Sequence, residues 1–398
     1  MTERVTMFEL PTSVFNVEAA LIGQGAYGAV CRATIKKNNA IVAIKRIAAF
    51  NKNLDTAKKI LREIVILNHL QSIPQVVRAH LVFRSPVEKT VYIVMDYFPS
   101  DLSSVIKQQR ALNEEMIRYM VAQLLLGIRG MHKAGCIHRD LSTRNILVNN
   151  ECEIAIADFG LARFFDPEEH MSFGVVTQWY RAPEIVTDAA YNEKVDVWSV
   201  GVIMAELLLQ GHLFAGKPND LADQLNKIMR VVGLPNPDWF NDKTSTLCSS
   251  SDNAKLYIQR LSQSPQAAAM FKPTLLAPPN EGGPNWKIPL TEQSRDVMTR
   301  LLKFNPDERL TAAQALQLSW FDPLRDFVKE CETRQDEQVT EITHELLHNK
   351  VSKEAASDLL AHVEGIEKLA PVWHDPMEQE LYDSLASEEM EEAEEEES

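Results

Sequence analysis

Residues 137–145 read Ile-His-Arg-Asp-Leu-Ser-Thr-Arg-Asn, and an Asp-Phe-Gly triplet follows at 158–160. The stretch places Asp140, Asn145 and Asp158 close together between short apolar runs. Asp and Asn are common in turns for reasons of backbone hydrogen bonding, so these residues alone would be weak evidence. Phosphoryl transfer, however, needs such a set, in which one carboxylate orients a hydroxyl while an amide and a second carboxylate hold magnesium.

The composition narrows the class of protein. At 398 residues, with 45% hydrophobic and 24% charged residues, the chain is typical of a globular protein with two parts. It contains no run of about 20 apolar residues and no secretion signal at its start, so we expect no membrane span and a cytoplasmic or nuclear location. A disulfide framework or zinc site is not expected either, because five scattered cysteines form no C-x-x-C pair: Cys31, Cys136, Cys152, Cys248 and Cys331.

The net charge of −15 is concentrated at the C-terminus. Asp375–Ser398 contains twelve acidic residues and no basic one, so the remaining chain carries −15 + 12 = −3. One interpretation is a disordered, solvated tail, and the other is a tail that docks on a basic surface of this protein or of a partner. The overall acidity argues against binding to nucleic acid.

Hydrophobic patterns predict a β-rich part followed by a helical part. Ala40–Lys45 and Thr90–Met95 are rich in β-branched residues and predict strands, with a helix at Thr56–Leu70 between them. From about residue 101 helical stripes dominate, as at 117–128, and 197–209 is apolar nearly throughout. This order predicts two lobes with a ligand site between them.

The same patterns predict the boundaries of these parts. Residues 240–290 are rich in Ser, Asn, Pro and Gly, which predicts a surface insertion with one helix near Ala254–Leu261. Apolar spacing after residue 323 predicts amphipathic helices that pack on the main body or bind a partner. The predicted parts are an N-terminal extension (1–14), a β-rich lobe (15–96), a helical lobe (97–323), a helical extension (324–374) and an acidic tail (375–398).

A glycine-rich stretch, Ile-Gly-Gln-Gly-Ala-Tyr-Gly-Ala-Val, occupies residues 22–30. A dinucleotide-binding fold would place a helix directly after it, but the residues up to Ile35 predict a strand. A hairpin that covers nucleotide phosphates is therefore favoured, and a plain hairpin turn is the alternative. Lys45 follows one strand later, and Glu63 on the next predicted helix is positioned to pair with it.

In this order the motifs resemble those of protein kinases, and the resemblance covers about residues 15–323. It implies an α+β, bilobal protein kinase fold, with a small β-rich N-lobe, a larger helical C-lobe, a C-terminal helical extension and an acidic tail. The motifs that carry it are the glycine-rich stretch, Val42-Ala43-Ile44-Lys45, Glu63, His138-Arg139-Asp140, Asn145, Asp158-Phe159-Gly160, Ala182-Pro183-Glu184, Asp196 and Arg309.

The resemblance also implies roles for the matched residues. Asp140 would accept the proton of the substrate hydroxyl, Asn145 and Asp158 would bind Mg²⁺, and Lys45 would position ATP. Glu184 with Arg309 would form a buried ion pair, and Asp196 would anchor the catalytic segment. The residues expected to contact the nucleotide are Ile22, Gly23, Gln24, Gly25, Ala26, Tyr27, Gly28, Ala29, Val30, Ala43, Lys45, Glu63, Met95, Asp96, Phe98, Asp101 and Leu147.

Within the kinases, two stretches resemble the mitogen-activated and cyclin-dependent groups. They are 61–64 (Leu-Arg-Glu-Ile) and 177–184 (Thr-Gln-Trp-Tyr-Arg-Ala-Pro-Glu), and the insertion at 240–290 favours the mitogen-activated group. The resemblance implies protein substrates with Ser/Thr-Pro sites, because residues matching Val175-Val176 with Arg181 shape a proline pocket. It also implies an upstream activating kinase, and docking partners at the C-lobe or the acidic tail.

One departure from the group lies in the activation segment. Where dual-phosphorylated members have Thr-x-Tyr, this chain has Ser-Phe-Gly at 172–174, so the phosphorylatable tyrosine is absent. Arg62, Arg139 and Arg163 match three arginines that surround an activation-segment phosphate in the related kinases. We expect phosphorylated Ser172 to be their anion, with local carboxylates such as those at 168–169 as the alternative.

A second departure lies inside the opening motif. Ser/Thr kinases usually have a lysine two residues after the catalytic aspartate, and here that position is Ser142. Arg144 matches an arginine of tyrosine kinases, and we expect it to supply the positive charge beside the phosphate. A Ser/Thr kinase is favoured, and a tyrosine or dual-specificity kinase or a catalytically silent scaffold are the alternatives.

Overall fold

A computed structural model of the chain divides it into two compact units. One consists of Met1–Phe98 with Ile342–Ser398, and the other of Pro99–Glu341. The structure describes residues 8, 10, 12–25, 28–47, 54–85, 90–164, 178–217, 220–341 and 367–368.

The first unit is built on an antiparallel sheet with strand order β1-β2-β3-β5-β4-β11. One helix, α1, lies in the connection between β3 and β4. The bounds are β1 (Phe15–Gly25), β2 (Gly28–Ile35), β3 (Ile41–Ile47), α1 (Leu54–His69), β4 (Ala79–Ser85), β5 (Thr90–Asp96) and β11 (Glu367–Lys368). The two strands and the helix predicted here are confirmed, each within two residues of its expected ends.

Branched and aromatic residues explain why these segments form a sheet. They pack well on a pleated surface, and β5 is buried at every position except its last. In the core, Ile44 is inaccessible to solvent, and the rings of Phe83 and Tyr92 stack with centroids 5.2 Å apart. This packing fixes the central strand β3, which carries Lys45.

The C-terminal part of the chain returns to this sheet. Strand β11 pairs with β4 in an antiparallel register that aligns residue 367 with Arg84 and residue 368 with Phe83. The sequence did not predict this strand. The amphipathic helices expected near residues 342–366 and the acidic tail lie outside the described residues.

The second unit is mostly helical, with two small sheets of order β6-β8-β9 and β10-β7. The strands are β6 (Ser100–Asp101), β7 (Cys136–Ile137), β8 (Ile146–Val148), β9 (Ile154–Ile156) and β10 (Arg163–Phe164). The helices are α2 (Leu102–Lys107), α3 (Glu114–Lys133), α4 (Pro183–Val186), α5 (Lys194–Leu209), α6 (Leu221–Val232), α7 (Asp252–Ser262), α8 (Pro265–Met270), α9 (Glu292–Leu301), α10 (Ala312–Leu316) and α11 (Arg325–Gln338).

Helices α3 and α5 form the centre of this unit and pack against each other. The first begins at Asn113, whose side chain accepts a hydrogen bond from the Met116 N–H at 2.8 Å, and two glutamates follow in its first turn. The second has nearly every residue buried, as the apolar run at 197–209 predicted. Two acidic residues inside α5, Asp196 and Glu206, are completely buried and need compensating partners.

The region 240–290 contains more regular structure than expected. Helix α7 confirms the one helix predicted there, but α8 follows it directly. A serine starts α8, with the Ser264 hydroxyl accepting from the Ala267 N–H at 3.2 Å and Pro265 in the first turn. The sequence carries this helix-start signal, but the Ser- and Pro-rich composition of the region predicts a loop.

Candidate active site

A buried carboxylate fixes the catalytic segment. Asp196 accepts hydrogen bonds from the backbone N–H groups of His138 and Arg139, both at 2.9 Å, and contacts His132 Nε2 at 2.9 Å. Burial alone would raise the pKa of Asp196, but these hydrogen bonds and the neighbouring histidines outweigh it and lower the pKa. Arg139 has φ +68°, a left-handed conformation that such clamping stabilises.

His138 connects this segment to the Asp-Phe-Gly turn. Burial lowers the pKa of His138, so the ring is neutral. Its Nε2 contacts the Ala157 carbonyl at 3.1 Å, and its Nδ1 accepts from the Asp140 N–H at 3.3 Å, which together select the Nε2–H tautomer. The ring also meets Phe159 edge-on, with centroids 5.0 Å apart. These contacts give His138 and Phe159 packing roles.

Asp140 and Asn145 are held together at the end of this segment. The Asn145 amide Nδ2 donates to the Asp140 carbonyl at 2.8 Å and to its carboxylate at 3.3 Å. Burial and the charge of Asp158 raise the pKa of Asp140 to about 7, against the Asn145 hydrogen bond and the charge of Arg181. The pKa of the Asp140 carboxyl therefore lies near neutral pH, and the carboxyl lies close to Asp158.

The donor set around Asp158 suits magnesium. The Asn145 side chain uses its amide nitrogen to donate to Asp140. Its amide oxygen, Oδ1, accepts no hydrogen bond from any described residue and is available to a metal. Within the described ranges no group of three or more His, Cys, Asp or Glu side chains is placed to hold a metal ion, so an all-protein metal cage is absent from them. Magnesium commonly uses one or two protein carboxylates and completes its octahedron with water and phosphate oxygens, which Asn145 and Asp158 fit.

Ser142 and Arg144, the residues of the second departure, differ in exposure, and the role expected for Arg144 beside the phosphate stays a prediction. Ser142 is buried, and its carbonyl accepts the Asn145 N–H at 3.0 Å. Arg144 is exposed, and its charge acts on His212. Arg181 acts electrostatically on Asp140, and its expected place in a proline pocket stays a prediction.

In the first unit, strand β3 and helix α1 bring Lys45 and Glu63 together. The Lys45 ammonium donates to Glu63 Oε1 at 2.5 Å, and the two side chains are 15% and 8% exposed. Lys45 lies opposite Val30 on β2 and Ile93 on β5, which shield it from two sides. The pairing suggested by the sequence is thus present in the structure.

The glycine-rich stretch forms a hairpin, with β1 ending at Gly25 and β2 beginning at Gly28. The strand after the glycines is as predicted, while Ala26 and Tyr27 lie outside the described residues. A Cβ at Gly28 would collide with the Arg46 carbonyl oxygen, so strand packing already requires that glycine. A Cβ at Gly23 would meet Val30 only at 3.6 Å, so packing does not require glycine there.

The other expected nucleotide contacts are divided between the two units. In the first, Ala43 and Met95 lie opposite each other on β3 and β5, and the Asp96 carboxylate contacts His80 at 2.7 Å. In the second, Asp101 lies opposite Leu147, on β6 and β8. The exposed Ile22, the half-buried Phe98 and the strand residues Gln24, Ala29 and Val30 complete the described members of the set.

Asp101 already has a structural role. It begins helix α2, and its two carboxylate oxygens accept from the Ser104 N–H at 2.9 Å and the Ser104 hydroxyl at 2.7 Å. Its expected contact with the nucleotide stays a prediction.

The predicted regulatory arginines are also divided, and Ser172 lies outside the described residues. Arg62 is on α1 in the first unit. In the second, the Arg139 guanidinium donates to the Leu161 carbonyl at 2.9 Å and to the Tyr191 hydroxyl at 2.7 Å. The charge of Arg163 also acts on Tyr191. Sequence reasoning missed Tyr191, and no motif marked it.

A buried ion pair and a hydroxyl network support the segment that carries Arg181. Arg309 donates two hydrogen bonds to Glu184, at 2.7 and 3.0 Å, and both side chains are inaccessible to solvent. This pair is as the resemblance implied. The Tyr180 hydroxyl donates to the buried Glu206 at 2.6 Å and is hydrogen-bonded to the Thr143 hydroxyl at 2.8 Å, a connection that the sequence did not reveal.

Comparisons with known proteins agree with this geometry. The protein kinase domain family matches residues 17–321. Mitogen-activated protein kinase 13 of Homo sapiens is 39% identical over 83% of this chain and 84% of its own length. The chain belongs to the mitogen-activated protein kinases. Mitogen-activated protein kinase 12 of Danio rerio is 37% identical over 82% and 84% of the two chains, and mitogen-activated protein kinase 4 of Arabidopsis thaliana 35% over 78% and 77%.

Membership in the mitogen-activated protein kinases confirms the function expected from the sequence. The chain is an ATP-dependent serine/threonine protein kinase, proline-directed and part of signalling. Its family uses ATP and magnesium and acts on protein substrates. None of the helices within the described ranges has the length and apolar character needed to cross a membrane.

Proposed function

We propose that Asp140, Asn145 and Asp158 are the residues with which this kinase transfers a phosphoryl group to serine or threonine. The observation that carries this proposal is the hydrogen-bonded pair of Asp140 and Asn145, which leaves one amide oxygen for a metal beside Asp158. Asp140 orients the substrate hydroxyl and accepts its proton. The hydroxyl oxygen bonds to the γ-phosphorus while the bond to the β–γ bridging oxygen breaks, and ADP leaves with the electron pair.

Magnesium, when bound, neutralises charge on the phosphates and orients them. Asn145 Oδ1 and the Asp158 carboxylate would hold it. In the first unit, Lys45, oriented by Glu63, would contact the phosphates, and the glycine-rich hairpin would cover them.

The test is a set of two substitutions read with labelled ATP and a degenerate peptide set. Asp140→Asn should abolish transfer while ATP still binds, because the hydroxyl is no longer oriented as a nucleophile. Asp158→Asn should also abolish transfer and should reduce the magnesium dependence of nucleotide binding, measured by calorimetry. The control Asp322→Asn, at an exposed aspartate of the same unit, should stay active. Unchanged transfer in Asp158→Asn would overturn the metal role.

The acceptor residues in the same assay separate the alternatives. Phosphoserine and phosphothreonine before proline are the expected products. Phosphotyrosine would favour the dual-specificity alternative that Ser142 and Arg144 suggested, and no transfer by the wild-type protein under any condition would favour the scaffold.

We also propose that phosphorylation of Ser172 activates the kinase through Arg62, Arg139 and Arg163. Supporting this, Arg139 and Arg163 both act on Tyr191, and like charges close together favour an anion between them. Ser172→Ala should lower both the phosphate content and the activity of protein isolated from cells, with Ser262→Ala as the matched control. Equal activity and equal phosphate content in Ser172→Ala would contradict it.

We propose that the acidic tail, 375–398, and the helical lobe dock partner proteins, and that the kinase works in the cytoplasm or nucleus. The tail concentrates twelve acidic residues, which suits a basic docking segment. Deleting 375–398 should leave transfer to short peptides unchanged and weaken transfer to protein substrates. Equal transfer to both would exclude docking by the tail.

A further inference from the structure

Phosphoryl transfer spreads negative charge over the transferring group, and a fixed cation beside it stabilises the transition state. The catalytic segment provides little such charge on its own. Ser142 is neutral and buried, while Arg144 is exposed and acts on His212. Arg139 is engaged with the Leu161 carbonyl and the Tyr191 hydroxyl.

Arg181 lies beside Asp140. Both residues line a cavity of about 20 Å³, room for about one water molecule. Their charges act on each other: Asp140 opposes the fall in the pKa of Arg181 that burial causes, and Arg181 opposes the rise in the pKa of Asp140. An arginine cannot be deprotonated at physiological pH, so this half-buried group is a permanent cation next to the catalytic carboxylate.

The backbone of Arg181 is held on both sides. Its N–H donates to the Gln178 carbonyl at 3.1 Å. On one side, Tyr180 is fixed by Glu206 and Thr143, and on the other the chain enters α4 and its ion pair with Arg309. A fixed backbone limits the positions open to the guanidinium, and a cation placed before the reaction begins is the condition for effective electrostatic catalysis.

We propose that Arg181 supplies the positive charge beside the transferring phosphoryl group that Ser142 cannot supply. The inference rests on the proposed role of Asp140. Arg181 exchanges no proton: the hydroxyl proton goes to Asp140, the electron pair of the broken bond goes to ADP, and the guanidinium stabilises the charge on the phosphoryl oxygens by hydrogen bonding. The proposal adds catalysis to the place in a proline pocket that the resemblance implies for Arg181.

The test is a rescue experiment. Arg181→Ala should lower kcat by about 10²–10³-fold, the usual effect of removing one such donor. Adding Ser142→Lys to that variant returns a cation to the segment at the position where related kinases carry lysine, and should restore kcat by roughly tenfold or more. Arg300→Ala, at an exposed arginine on α9, controls for the loss of an arginine, and circular dichroism checks that each variant is folded.

A pair of peptides, with proline or alanine after the acceptor serine, separates catalysis from proline recognition. A catalytic charge predicts equal losses of kcat on both peptides. If Arg181→Ala instead raises KM for the proline peptide alone, and Ser142→Lys restores nothing, the residue serves only the proline pocket and the proposal falls. The proposal also falls if Arg144→Ala shows the loss of kcat and the rescue instead.

Asp140→Asn distinguishes failure of this inference from failure of the proposed site. If Asp140→Asn remains active, the assignment of the site is wrong, and the role proposed for Arg181 falls with it. If Asp140→Asn is inactive but Arg181→Ala keeps full kcat, the site stands and the role of Arg181 is refuted.

Discussion

Each unit contains an ion pair, and the two pairs differ in how completely the fold encloses them. In the second unit, Arg309 and Glu184 are inaccessible to solvent, and the guanidinium also donates to the carbonyls of Lys194 and Lys303 at 2.7 to 3.2 Å. In the first, Lys45 and Glu63 meet at one contact of 2.5 Å and keep 15% and 8% of their side-chain surface exposed. A charge pair that solvent cannot reach acts only on the structure, whereas a charge that remains accessible can meet a ligand.

The largest effect on stability is expected at the pair that is inaccessible to solvent, Arg309 and Glu184. Arg309→Ala leaves the Glu184 carboxylate and several carbonyls without partners in the interior, and should destabilise the protein by about 3–5 kcal/mol. Activity should fall in parallel with the folded fraction. Urea unfolding of Arg309→Ala and of the exposed Arg334→Ala as control measures the difference. A loss below about 1 kcal/mol, the usual contribution of a surface ion pair, would contradict the comparison.

For the accessible pair, Lys45 and Glu63, we expect the opposite: a small change in stability and a large loss of activity. Lys45→Met with Glu63→Gln removes both charges together, so the free energy of unfolding should change by only about 1–2 kcal/mol. Activity should nevertheless fall by about 10²–10³-fold, because the phosphates lose a cation. Kinase assays and urea unfolding on the same preparations check both.

The control removes both charges from a partly exposed pair in the second unit. Lys133 and Asp336 meet at 3.1 Å, and Lys133→Met with Asp336→Asn should leave activity unchanged. If the double variant at Lys133 and Asp336 loses as much activity as the one at Lys45 and Glu63, the functional role assigned to the Lys45 pair is contradicted.

The sequence predicted both pairs, because each joins residues of recognisable motifs. Lys45 and Glu63 lie on a strand and on the helix that follows it, so their meeting required only local structure. Glu184 and Arg309 are 125 residues apart, and their pairing was available only through the resemblance to kinases.

Partners outside such motifs could not be predicted. Tyr191 binds Arg139 across 52 residues, and Tyr180 binds Glu206 from another helix. Nothing local distinguishes these tyrosines and this glutamate from ordinary core or surface residues. Likewise, the position of Arg181 beside Asp140 depends on how two loops meet, which neither hydrophobic periodicity nor spacing encodes.

The glycines offer an intermediate effect that separates packing from ligand approach. Gly28→Ala places a methyl group against the Arg46 carbonyl and should destabilise the protein by about 1–3 kcal/mol. Gly23→Ala meets Val30 at an ordinary distance of 3.6 Å and should change stability by less than about 0.5 kcal/mol, yet raise KM for ATP. Thermal unfolding and ATP titration distinguish the two. Equal destabilisation would refute the packing role assigned to Gly28.

The smallest expected effect concerns His212 and Glu206, a pair in which the histidine is partly exposed and the glutamate is buried. The hydrogen bond with Glu206 raises the pKa of His212, against partial burial and the charges of Lys107 and Arg144. Since the folded state holds this proton more tightly, the stabilisation is present below the unfolded pKa of about 6.5 and is lost as the pH rises through the folded value. The His212 side chain is 40% exposed, so solvent limits the effect to less than about 1 kcal/mol.

His212→Gln should therefore lower the free energy of unfolding at pH 5.5 and leave it nearly unchanged at pH 9, as measured by urea titration at both values. Lys107→Gln provides the matched comparison, because removing a repulsive charge should enlarge the low-pH stabilisation by His212. Its effect should vanish in the His212→Gln background. Equal losses for His212→Gln at both pH values would mean that His212 acts through packing against Trp179, whose ring lies 4.7 Å away, and not through its proton.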